Sequence, residues 1–77
     1  MATFELWDKD SRSIVGAFDT EAGALAAVRE ALERNGRPYA ETFAVIREDD
    51  RGRSTLLGEG SELVELALRL VSEHAAS

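Results

Sequence analysis

The sequence predicts an α+β fold in the order ββαββα, a four-stranded, mainly antiparallel sheet with two helices on one face. Three observations predict it. Thr42-Phe43-Ala44-Val45-Ile46 is a charge-free run of strand formers, apolar on both of its alternating faces, which marks a central strand covered on each side. Around it lie further short stretches of strand formers, separated by dense polar turns. Two segments rich in Ala, Leu and Glu each follow capping residues, the pattern of amphipathic helices.

Taken in order, Thr3-Phe4-Glu5-Leu6-Trp7 alternates, with Phe4 and Leu6 on one face and Glu5 and Trp7 on the other, and reads as the first strand. Asp8-Lys9-Asp10-Ser11-Arg12-Ser13 is a cluster of turn formers, and Ile14-Val15-Gly16-Ala17-Phe18 resumes the strand pattern to close a hairpin. Asp19 and Thr20 are competent N-caps and Glu21 suits the positive helix end, so a helix is predicted from about Thr20 to Arg34. Leu25, Val28 and Leu32 form its apolar stripe, flanked by Ala24, Ala27 and Ala31, which let another backbone come close. Asn35-Gly36 supplies a left-handed stop, and Pro38 forbids continuation.

The central strand follows Tyr39. Glu48-Asp49-Asp50-Arg51-Gly52-Arg53 is a polar turn in which Gly52 can take positive φ, and Ser54-Thr55-Leu56-Leu57 is the return strand. Gly58-Glu59-Gly60 is expected to break that strand. Ser61 then caps a second helix from Glu62 to about Ser72, and the tail from His74 to Ser77 is expected to fray.

The chain thus reads as one domain, residues 1–77, built from two ββα units, 3–36 and 39–74, in which Phe4 matches Phe43 and Trp7 matches Ile46. A right-handed crossover sets the third strand beside the first and gives the strand order 2-1-3-4.

Composition narrows the function classes. A chain of 77 residues buries only about 60% of its unfolded surface. No cysteine is present, which removes disulfides, thiolate chemistry and the soft ligands of structural zinc, and favours a cytoplasmic home. Met1 is followed by neither a basic start nor an apolar run, so no signal peptide or membrane span is expected. With a net charge of −6, the chain lacks the basic face that direct nucleic-acid binding requires. Its cations are one lysine and eight arginines beside abundant alanine, a bias that points to a GC-rich bacterial source.

Catalytic, cofactor and metal constellations are not found. Asp8 and Asp10 match the first two positions of a calcium loop, but Arg12 and Ser13 stand where an oxygen ligand and a glycine belong. Gly58-Glu59-Gly60-Ser61 joins a strand to a helix, yet Glu59 and Glu62 would repel a phosphate, and no Walker lysine is present. His74 has no second histidine or cysteine to work with, and no serine or threonine has an identifiable base. The sequence therefore predicts no enzyme, cofactor or metal.

The remaining signal is apolar surface. The second helix carries apolar residues, Leu68 among them, over roughly 200° of its circumference, more than one sheet consumes. In addition, Trp7, Val15, Ala17, Ala44, Ile46 and Leu56 are predicted to point away from the helices, a patch too apolar for water. These observations predict a small non-enzymatic protein-interaction module, homodimeric through the sheet face, a strand edge or the second helix, with another protein as a further possible partner. Arg12, Arg51 and Arg53 at the two hairpin tips form a candidate polar recognition site if the hairpins point the same way. The alternative is a small acidic regulator, antitoxin-like, that neutralises a basic partner.

Overall fold

The computed structural model describes the backbone of residues 2–76 and the side chains of residues 2–69. Its elements run β1 (Thr3–Asp8), β2 (Ser13–Phe18), α1 (Glu21–Asn35), α2 (Arg37–Ala40), β3 (Phe43–Glu48), β4 (Ser54–Glu59) and α3 (Gly60–Ala76). The four strands form one sheet in the order β2-β1-β3-β4, antiparallel throughout. The α+β fold and the strand order therefore match the sequence prediction.

Alternation along the central strands decides which residues meet the helices. Leu6 pairs with Val45 across β1 and β3. These two, with Phe43, Leu25, Val28, Leu63, Ala24 and Ala67, make the buried core between sheet and helices. Phe4, Phe18, Ala27, Ala31, Leu57 and Leu66 pack around its margin. Ala24 and Ala67 are both fully buried, and with no long side chain at either position α1 and α3 pack side by side over the sheet. Among the described side chains of α3, Leu63, Val64 and Ala67 are fully buried.

Local chemistry sets the element ends. Thr20 is the N-cap of α1, its Oγ1 accepting a bond from the Gly23 amide at 3.0 Å. Gly36, at φ 87°, closes α1 by donating its amide to the Leu32 carbonyl. Pro38 ends α1 as expected, but it also sits in the first turn of a second, four-residue helix, where a missing amide costs nothing. The sequence reading missed this helix.

Two expectations are corrected. Gly58 and Glu59 continue β4 rather than break it, because only Gly60 takes positive φ, at 59°. The backbone of α3 runs on to Ala76, past the end predicted near Ser72; Ser77 lies outside the described residues.

Each hairpin also carries an irregularity at the matching place. Leu6 pairs with Gly16 and Trp7 with Ile14, leaving Val15 extra; Val45 pairs with Gly58 and Ile46 with Leu56, leaving Leu57 extra. Both extra residues fall on the outer strands, and such a bulge twists an edge away from flat pairing with another strand.

Candidate functional site

The helices cover one face of the sheet and leave the other open. Strand pairing orders that open face into rows, Ile14–Trp7–Ala44–Glu59 and Ala17–Glu5–Ile46–Leu56, with the polar row Thr3–Glu48–Ser54 beyond them. Ile14 and Leu56 are 50% and 53% exposed, so each presents half of a large apolar side chain to solvent. Ala44 lies at 5% because its larger neighbours stand over it.

That difference in side-chain size makes a depression of about 380 Å³, lined by Trp7, Asp8, Lys9, Arg12, Ala44, Ile46, Leu56 and Glu59. Ala44 is the small residue at the centre of this set. Trp7 stands to the β1 side, while Leu56 and Glu59 stand to the β4 side. The first hairpin turn closes the end. Lys9 donates its amide to Thr42, extending the β1–β3 ladder by one step, and its Nζ reaches the neighbourhood of Gly60 at the start of α3. The Trp7 indole N–H donates to Glu5 Oε1 at 3.4 Å, which orients the ring along its own strand.

Asp8 uses one carboxylate oxygen to accept the amides of Asp10, at 2.9 Å, and Ser11, at 3.4 Å. This is an Asx-type hairpin turn, and it accounts for the acidic spacing that resembles the start of a calcium loop. Arg12 closes the turn at φ 58°, the one positive φ outside glycine among the described residues. Among the described residues no group of acidic, histidine or cysteine side chains is placed to hold a metal ion, and no helix is long and apolar enough to cross a membrane.

The predicted interface residues divide. Trp7, Ala44, Ile46 and Leu56 come together in the depression, whereas Val15 is displaced onto the β2 bulge and Leu68 lies half-buried in the helix layer. Arg12 reaches the depression, but it does not meet Arg51 and Arg53. β1 and β3 are antiparallel, so the hairpins that follow them point to opposite ends of the sheet. The predicted convergence of the three arginines is therefore replaced by separation.

Sequence reading also missed Ile14, Lys9 and Glu59. The bulge at Val15 brings Ile14 opposite Trp7, and the unbroken run of β4 brings Glu59 opposite Ala44.

A separate polar group ties the helix layer together. Arg37 donates through Nε to Glu41 and through Nη2 to Glu65, each at 3.0 Å, linking α2 to α3. These side-chain hydrogen bonds, Glu65 first and then Glu41, push its pKa above the ordinary arginine value. The side chains stay exposed, which marks the group as a surface clamp.

No protein-family model, curated protein or solved structure matches the chain.

Proposed function

We propose that this protein is a non-enzymatic interaction module that forms a homodimer through the open face of its sheet. The observation that carries this reading is the joining of Trp7, Ala44, Ile46 and Leu56 in one depression on the uncovered face. Apolar side chains scattered over a surface need no explanation, but a contiguous patch built around a tryptophan is the composition of an interface core. The outer strands are bulged, which disfavours assembly edge to edge, and Leu63, Leu66 and Ala67 of α3 are spent on the core between the helices and the sheet. Both observations favour the sheet face as the contact surface.

An acidic regulator of a basic partner has the net charge of −6 in its favour. The depression itself does not share that bias, since Asp8 and Glu59 on its rim are matched by Lys9 and Arg12.

Sedimentation equilibrium across a wide concentration range tests the proposal. Reversible association from 8.4 kDa to twice that mass supports it, and a mass of 8.4 kDa at every concentration rejects it.

A further inference from the structure

We infer that the depression over Ala44 receives Trp7 of a second copy of this chain, with Arg12 of each copy pairing with Glu59 of the other. This rests on the homodimer reading and adds its geometry.

The two sides of the depression are complementary. Trp7 on β1 and Arg12 in the turn after it lie on one side; Leu56 and Glu59 on β4 lie on the other. A twofold axis parallel to the strands, passing between β1 and β3, exchanges these sides. It lays the indole of one copy over Ala44 of its partner and sets each Ile14 across from a Glu59, so that Arg12, in the turn just beyond Ile14, extends along the strand direction to that carboxylate. The residues on either side of such an axis must complement one another, as they do in any isologous contact.

Charge supports a second copy over another occupant. The rim holds two cations and two carboxylates within a chain of net charge −6, so the excess negative charge lies elsewhere on the molecule. A surface shaped for a strongly basic or strongly acidic partner would carry one sign. Arg12 and Glu59 are exposed and form no ion pair with another described residue. Both are available to a partner.

Area sets the expected strength. Four six-residue strands make a flat face of roughly 20 by 19 Å. That is about 400 Å² in plane, against about 800 Å² of accessible surface per partner in a standard interface. A contact confined to this face is therefore smaller than the standard class, in the range of weak, reversible association.

Charge exchange tests the pairing. R12E and E59R each place two like-charge contacts in the symmetric dimer and are expected to weaken association about tenfold or more. In an equimolar mixture of the two variants both contacts become attractive again, and dimer is expected to return. Trp7, the only tryptophan of the chain, should shift its emission to the blue as dimer forms. Both substitutions fall at exposed positions, and circular dichroism checks that each variant is folded. A wild-type protein that dimerises while R12E and E59R associate just as tightly, or whose variant mixture stays monomeric, overturns this pairing alone. A wild-type monomer overturns the homodimer reading with it and leaves the depression to a small ligand or an unrelated protein.

Discussion

A β-carbon placed on Gly58 would stand 3.0 Å from Cδ1 of Leu66 and 3.6 Å from Cα of Leu63, so β4 and α3 touch where Gly58 has no side chain. Gly58 lies opposite Val45, next to the Leu57 bulge, on the face that meets the helices. Gly58→Val is expected to destabilise the protein by about 1–3 kcal/mol through overpacking. Gly58→Ala should cost less, because the tip of Leu66 can swing aside. Gly52→Ala is the control: nothing lies within 4 Å of its β-carbon, and only the φ of 79° resists substitution. Its expected cost is about 1 kcal/mol. Urea unfolding monitored by circular dichroism ranks the three variants.

Phe43 and Ile46 lie on the same strand but serve opposite faces, and they should separate folding from assembly. Phe43 is 2% exposed in the core and stacks edge-on against Tyr39, with ring centroids 5.1 Å apart. Phe43→Ala is expected to cost about 3–5 kcal/mol, most of the stability of so small a domain. Ile46→Glu puts a charge on the open face, where the monomer can still hydrate it. It should leave the helical circular dichroism signal intact while abolishing concentration-dependent mass. Unfolding by Ile46→Glu would place that residue in the monomer core instead.

The two faces were legible because they follow from strict alternation in β1 and β3, and the strand order because a right-handed crossover sets the third strand beside the first. Phe43 and Val45 are buried with Leu6, while Ala44 and Ile46 share the other face with Trp7. The bulges were not legible. Nothing local distinguishes Val15 or Leu57 from an ordinary strand residue, since a bulge is a property of two strands in register. For that reason Ile14 was missed at the site. Glu59 was missed because the glycines around it were read as a break, although Gly58 has its own reason to lack a side chain, the approach of Leu66. Opposite hairpin directions also depend on pairing, and this separated Arg12 from Arg51 and Arg53.

Arg37 gives a pH prediction whose sign is fixed by its hydrogen bonds to Glu65 and Glu41. Its folded pKa lies above the ordinary arginine value that the unfolded chain keeps. Stabilisation from a raised cation is fully present below the unfolded pKa and fades only as pH rises through the folded one. The Arg37 clamp should therefore contribute equally at neutral and moderately alkaline pH. In thermal melts, the difference between wild type and Arg37→Gln should stay constant over that range. A difference that shrinks before strongly alkaline pH would show that another group controls the α2–α3 contact.

Arg12 is the position where monomer stability and assembly are expected to pull apart. Its φ of 58° is a left-handed conformation that costs a residue with a β-carbon about 1–2 kcal/mol, and the fold retains it at the tip of a hairpin where glycine would fit freely. Arg12→Gly relieves that strain but adds backbone freedom to the unfolded chain, so a net gain of about 0.5–1 kcal/mol is expected. In a domain of this size each 1 kcal/mol moves the melting temperature by roughly 4–8 °C. Melts must be run well below the dimer dissociation constant, since association would otherwise add its own stabilisation. The same substitution removes the cation proposed to meet Glu59 of the second copy, so sedimentation of Arg12→Gly should show weaker dimerisation. A variant that melts higher and still dimerises like wild type would leave the left-handed arginine without a role in the contact.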